Sequence, residues 1–319
     1  MNGVILDAGS FDQNDLMTSS LEDSLENWHW HRSTLPHQTM ARIADMNVIV
    51  TNKVAINASA LASSSLRLIV VAATGTNNID LEEAERKAIS VCNVRDYASP
   101  AVSQHVFSII LALYTRLSDY ANAVREGRWH QSPVFCLLDY PINELAGKTL
   151  GIIGYGHLGK RVAKIAKGFD MKVVIAARPG TTTIPPDRVS FDELIDTSDV
   201  ISLHCPLNDN TNNLIDHREL KRMKSGAILI NTARGGIVNE SALVEALRSG
   251  EIAGAGIDVL TQEPPDNCQP LLSGDIPNLI VSPHNAWGSI QARQRLVDEV
   301  ADLIEAFRNG QARNLCLPD

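Results

Sequence analysis

Residues 150–179, LGIIGYGHLGKRVAKIAKGFDMKVVIAARP, limit what this chain can fold into more than any other stretch. Residues 150–153 are an apolar run of strand length. Gly154, Gly156 and Gly159 follow at G-x-G-x-x-G spacing. Val162, Ala163, Ile165, Ala166 and Phe169 then repeat at helical period, and residues 173–175 form a second apolar run. Strand, glycine turn, helix and strand in that order open a dinucleotide-binding βαβ unit. Gly154 permits the tight turn, Gly156 removes a Cβ that would keep a pyrophosphate from the backbone, and Gly159 lets the helix approach the strand. The helix N-terminus directs its N–H groups at the phosphates. The alternative is a strand–helix turn that binds nothing.

At 319 residues the chain is long enough for two ordinary domains. Its 44% hydrophobic and 20% charged content predicts packed cores rather than disorder. A formal net charge of -9 and the lack of a basic run argue against nucleic acid and anionic membranes as partners. The longest apolar runs are too short to span a bilayer, and the N-terminus MNGVILDAGS reads as a first strand rather than a signal peptide. Five scattered cysteines without C-x-x-C pairs predict reduced thiols in the cytoplasm, with no disulfide framework and no metal site.

Residues 1–99 alternate apolar runs with helical ones. Strands are expected at 4–6, 48–50 and 68–72, with helices near Ile43 and over 58–66 and 81–88, giving an α/β domain. Two strand ends carry polar loops, one with Asn52 and Lys53 and one with Thr74, Gly75 and Thr76. Ligands of open α/β sheets bind beyond the carboxyl ends of the strands, so both are pocket candidates. The second loop offers main-chain N–H groups to a carboxylate; a plain surface turn is the alternative. Ser99 and Pro100 then open a long helix expected to reach about Glu126, capped by Ser99 and buried between domains. His105 on it reads as a satisfied core or surface residue. Residues 127–146 are too apolar for an exposed loop, so packing on a partner subunit, or on the chain's own second domain, is expected.

Beyond residue 179, strands are expected at 199–203, 227–230, 255–259 and 279–282. Helices are expected at 191–195, 220–223 and 241–247, the last stopped by Gly250, and a closing helix at 290–307. The reading is α/β with two doubly wound parallel-sheet domains. A Rossmann NAD(P)-binding domain, 100–285, is inserted in a flavodoxin-like substrate domain, 1–99 plus 286–319. Three charged residues recur at the strand ends of the inserted domain: Arg234, Glu263 and His284. Arg can grip a carboxylate and polarise a carbonyl. His can exchange a proton with the oxygen as hydride moves, and Glu beside it favours its protonated form and fixes its tautomer. That trio suits redox chemistry on a hydroxy or keto acid.

The segments GIIGYGHLGKRVA, HCPLNDNT, INTARGGIVNE, GIDVLTQEPP and SPHNAWGS resemble the D-isomer-specific 2-hydroxyacid dehydrogenase family over nearly the full length. ATGTNNID and the Trp of PHNAWGS are most similar to its glycerate dehydrogenase, or hydroxypyruvate reductase, members. The resemblance implies that Arg234 binds substrate, that Glu263 pairs with the acid–base His284, and that Thr74, Gly75 and Thr76 hold the substrate carboxylate; Asn52 and Lys53 remain substrate candidates from their strand-end loop. It implies cofactor contacts at Gly154, Tyr155, Gly156, His157, Leu158 and Gly159, and at Cys205, Pro206, Thr211, Thr232 and Ala233. Asp258 falls on the residue that meets the nicotinamide carboxamide. Domain closure around the substrate, and a homodimer through the 100–150 region, are also implied. One departure stands out. Where NAD-specific members end the second strand with an Asp for the ribose hydroxyl, this chain has Ala177, then Arg178 and Pro179, and no acid occurs between Asp170 and Asp187. NADP is therefore expected as cofactor beside NAD. The expected reaction is reduction of hydroxypyruvate or glyoxylate to D-glycerate or glycolate. The alternatives are a phosphoglycerate- or lactate-type 2-keto acid reductase, and a nucleotide-sensing, corepressor-like binding protein.

Overall fold

A computed structural model describes residues 1–62, 65–181 and 183–318. The chain forms two compact units, Met1–Ala98 with Trp287–Asp319, and Ser99–Ala286.

In the first unit β1 (Asn2–Ile5), β2 (Asn27–Trp30), β3 (Val48–Thr51), β4 (Leu68–Val71) and β5 (Ser90–Asn93) form one parallel sheet in the order β2-β1-β3-β4-β5. That is the flavodoxin-like order. Alternate residues of each strand go to opposite faces. Val4, Leu6, Ile49, Ile69 and Val71 pack with Ile43 and Leu61. Ile5, Val48, Val50, Leu68 and Val70 pack with Leu296, Val297, Val300, Leu303 and Ile304 of the helix Ile290–Arg308. Each such fully buried aliphatic side chain stabilises the fold by roughly 1.5–3 kcal/mol.

Two of these strands escape the apolar pattern. The edge strand β2 is NWHW, with alternate residues exposed. β5 is SVCN, whose buried Asn93 earns its place by donating Nδ2 to the Thr74 carbonyl at 2.6 Å. Of the expected 58–66 helix the chain forms Ala58–Leu61, and Ser63 and Ser64 lie outside the described residues.

In the second unit β6 (Thr149–Ile153), β7 (Lys172–Ile175), β8 (Val200–Leu203), β9 (Ile228–Asn231), β10 (Gly254–Ile257) and β11 (Leu279–Val281) form a six-stranded parallel sheet. Its order is β11-β10-β9-β8-β6-β7. A single parallel bridge, Ala176 to Val189, continues it beyond β7. The chain leaves β6 for β7 on one side and β8 lies on the other, so the topological switch, and with it the ligand crevice of such sheets, falls at the carboxyl ends of β6 and β8. Both faces are covered. One carries Leu194, Leu220, Leu243 and Leu247, and the other Val106, Ile109 and Ile110 with Val162 and Ala166.

The helix expected over residues 99–126 is two, Ser99–Thr115 and Leu117–Arg125. Arg116 between them is left-handed (φ +56°). Its guanidinium holds Asp119 at 2.6 Å and the Asn278 side chain, and it lies 5.5 Å from the centre of the Tyr140 ring. Helical period cannot reveal a break fixed by contacts this far along the chain. Among the described residues no helix is long and apolar enough to cross a membrane.

Candidate active site

The turn after β6 is shaped by missing side chains. Gly154 is left-handed (φ +94°), and a Cβ there would collide with the His204–Cys205 backbone, the end of β8. A Cβ on Gly159 would strike the Gly154 carbonyl, whereas one on Gly156 would meet no protein atom within 4 Å. Gly156 thus borders open space. It is also the N-cap of the helix His157–Gly168 and has no side chain to cap it, and a helix N-terminus favours an anion. Tyr155 and Leu158 pack onto the core below.

Two buried polar atoms on the same sheet edge have no partner among the described residues: the Thr232 hydroxyl after β9 and Nδ1 of His204 after β8. Buried polar atoms are nearly always bonded, so these mark a surface built to meet something polar. An open glycine, a helix N-terminus and buried polar atoms without a partner among the described residues fit a dinucleotide. His204 is held neutral, since burial of its ring pulls its pKa down to about 4, and its Nε2 lies 2.9 Å from the Ser202 hydroxyl. Burial pushes the Cys205 thiol up to about 11, so it stays protonated. Thr211 spends its hydroxyl inside its own loop, 2.7 Å from the Pro206 carbonyl and 2.8 Å from the Asn208 N–H.

At the far end of β7, Ala177 is buried and donates its N–H to Val189 at 2.8 Å. Arg178 is exposed and makes no ion pair among the described residues. Sequence reasoning missed a second arginine there. Arg188 donates to the Ala176 carbonyl at 3.1 Å and lies over the Tyr155 ring, 5.9 Å from its centre. It too lacks an ion pair among the described residues. It is ten residues beyond Arg178 in a loop without periodicity, and the Ala176–Val189 bridge returns it to the glycine turn.

The loops after β9, β10 and β11 are built from side chains. Asn231, buried at the end of β9, accepts from the Ala233 N–H at 3.0 Å and donates to the Arg234 carbonyl at 2.9 Å, which curls the loop. Arg234 itself is exposed. Gly235 lies so close to the Leu260–Thr261 backbone that a Cβ would overlap it, joining the Arg234 loop to the one that carries Glu263. Glu240 accepts from the Thr261 N–H at 2.7 Å and steadies that second loop. Glu263 accepts from the Leu260 N–H at 2.8 Å through one oxygen and meets His284 Nδ1 at 2.6 Å through the other. A carboxylate only accepts, so Nδ1 carries the hydrogen and proton exchange is directed to Nε2.

His284 is left-handed (φ +49°), with its N–H bonded to the carbonyls of Asp258 at 2.8 Å and Ser282 at 3.0 Å. Asp258, 2% exposed, accepts from the Ser282 hydroxyl at 2.6 Å and from the N–H groups of Asn285 at 3.0 Å and Ala286 at 3.1 Å. His105 approaches the same carboxylate to 3.6 Å, where sequence reasoning had left it without a role.

In the first unit the main-chain N–H groups of Asn52 and Lys53 are held at 2.9 and 2.7 Å by Asp7, a buried carboxylate that sequence reasoning passed over, and Asn52 Nδ2 donates to Ser10. The Thr74 hydroxyl donates to the Val94 carbonyl at 3.1 Å. Among the described residues the N–H groups of Gly75 and Thr76 make no hydrogen bond within the protein, as a carboxylate cradle requires.

The domain family described as "D-isomer specific 2-hydroxyacid dehydrogenase, NAD binding domain" matches residues 107–286. The chain is 46% identical over 282 residues to glycerate dehydrogenase of Methylorubrum extorquens, covering 88% of each. It is 34% identical over 321 residues to hydroxypyruvate reductase of Blautia hydrogenotrophica, covering 99% of each. Among solved structures it resembles an acyclic imino acid reductase in complex with NADPH and D-Arg, with TM-score 0.85 and 26% identity over 99% of this chain and 100% of that one. The chain belongs to the D-isomer-specific 2-hydroxyacid dehydrogenase family and is an NAD(P)-dependent oxidoreductase.

Proposed function

We propose that the enzyme reduces glyoxylate and hydroxypyruvate to glycolate and D-glycerate, accepting NADPH as well as NADH. The observation that carries this reading is the 2.6 Å bond between Glu263 and His284 Nδ1. It orients a histidine whose Nε2 can give a proton to a carbonyl oxygen, or take one back from the alcohol. When bound, the reduced nicotinamide supplies the hydride. The glycine turn Gly154–Gly159, the helix behind it and the Thr232 hydroxyl would hold the cofactor, and Asp258 would meet its carboxamide. Arg234 grips the substrate carboxylate and polarises the neighbouring carbonyl. Within the first unit, the N–H groups of Gly75 and Thr76 are donors suited to a carboxylate. On this reading Ser99–Ala286 is the nucleotide unit and the remainder the substrate unit.

The relatives named for glyoxylate and hydroxypyruvate support small keto acids as substrates. Arg178 and Arg188 support NADPH, since two cations without carboxylate partners among the described residues suit a 2′-phosphate. The exposed apolar side chains Val134 (59%), Phe135 (89%) and Leu138 (76%) support burial of the 127–146 arm in a homodimer. Free thiols at all five cysteines agree with the cytoplasm.

The test is loss of NADPH and of NADH absorbance with glyoxylate, hydroxypyruvate, pyruvate and phosphohydroxypyruvate. Turnover of the first two, with NADPH used at least as well as NADH, is expected. Preference for the phosphorylated acid would overturn the substrate assignment. Silence across the panel despite tight cofactor binding would point to a nucleotide sensor.

A further inference from the structure

We propose that His105 is a positioning residue for His284, acting through Ser282 and Asp258. The inference rests on the acid–base role given to His284 above. Its physical origin is Gly256 in β10. A Cβ there would run into Ile109, so glycine at this point lets the helix Ser99–Thr115 settle directly on the strand. Moving two residues along the strand from Gly256 reaches Asp258 on the same face. Moving one helical turn back from Ile109 reaches His105. Both steps are about 6 Å, and they bring the two side chains to one place.

The hydrogens there can be assigned. The Ser282 hydroxyl has a single hydrogen, which it gives to Asp258 Oδ1 at 2.6 Å. It can therefore only accept from His105 Nε2, 2.9 Å away. The order is His105 N–H to Ser282 O–H to the Asp258 carboxylate. Asp258 in turn accepts from Asn285 and Ala286 on the far side of His284, and its own carbonyl accepts from the His284 N–H.

The histidine turn is thus suspended from Asp258 on both sides while His284 itself occupies a conformation that non-glycine residues avoid. A buried carboxylate keeps a fixed orientation only while its donors are in place. His105 removes the freedom of the one donor in the set that can rotate, the serine hydroxyl. Misplacement of a reacting group by a fraction of an ångström lowers rate without abolishing binding.

The experiment is a double-mutant cycle on the full-length enzyme, with NADPH affinity followed by fluorescence and kcat and KM measured for the keto acid. His105→Leu and Ser282→Ala should each lower kcat about tenfold and leave NADPH affinity within about threefold. The double variant should be no worse than either single one, because both cut the same chain of bonds. His105→Gln, which keeps an N–H donor, should restore kcat to within about threefold. Wild-type kcat in His105→Leu, or losses that multiply in the double variant, would overturn the proposal. So would failure of His105→Gln to recover activity while Ser282→Ala alone is impaired. His284→Gln is measured alongside. If it turns over normally, the acid–base reading fails and takes the positioning role with it. If it is inactive while His105→Leu is normal, only the positioning role fails.

Discussion

The turn after β6 and the loops after β10 and β11 lie at the carboxyl edge of one sheet, yet they are made in opposite ways. The first is defined by what is absent. Gly154, Gly156 and Gly159 leave room for close backbone contact and for a ligand, and almost no side chain takes part. The second is defined by side chains that hold backbone. Asp258 ties Ser282, Asn285 and Ala286, and Glu263 ties Leu260 and His284. The difference suits the tasks proposed for them. A pyrophosphate is recognised by N–H groups and a dipole that any helix start provides. A proton must be delivered from one atom in one orientation, and only a network fixes that.

If the two regions are separable, each can be broken without the other. The largest effect is expected at the network: His284→Gln should lower kcat by about 10²–10⁴ while NADPH affinity, read by fluorescence titration, stays near wild type. Equal loss of binding and turnover would show that the regions are not separable.

His204 follows β8 and borders the first of these regions, its backbone against Gly154. Its folded pKa of about 4 lies below the ordinary 6.5, so below pH 6.5 the unfolded chain takes up a proton that the folded one refuses. Stability from this group is complete above pH 6.5 and declines as pH falls towards 4, by at most about 3 kcal/mol. Urea unfolding at pH 7.5 and 4.5 should show that decline in the wild type and a smaller one in His204→Asn. Parallel declines would remove His204 as the cause.

The smallest effect sharpens the cofactor end. Arg178→Ala and Arg188→Ala should each reduce kcat/KM for NADPH about tenfold, as loss of one charge-assisted hydrogen bond does, and leave NADH little changed. Equal changes for both cofactors would rule out a 2′-phosphate contact.

Legibility in the sequence tracked this same division. The six strands of the inserted unit are near-continuous apolar runs because their sheet is covered on both faces, and the glycine turn carries its meaning within six residues. The trio Arg234, Glu263 and His284 was visible as a set of candidates because each lies within six residues of a strand's end. What holds the trio was not. His105 and Ser282 are 177 residues apart, and no local pattern links a helical histidine to a serine that distant. Asn231 and Gly235 stood in plain view, but curling a loop and admitting a neighbouring backbone are tertiary facts. β2 and β5 were overlooked because an edge strand keeps its polar face, and because Asn93 is buried for a hydrogen bond rather than for apolarity.

The central claim is reduction of a 2-keto acid at its carbonyl carbon, and isotope transfer tests it most directly. NADPH carrying deuterium at the transferable nicotinamide position is supplied with glyoxylate or hydroxypyruvate, and the product is analysed by mass spectrometry and, for glycerate, chiral chromatography. One deuterium at C2, in D-glycerate and in glycolate, is the result predicted. A product with no deuterium at C2, or glycerate of the L configuration, would contradict the account.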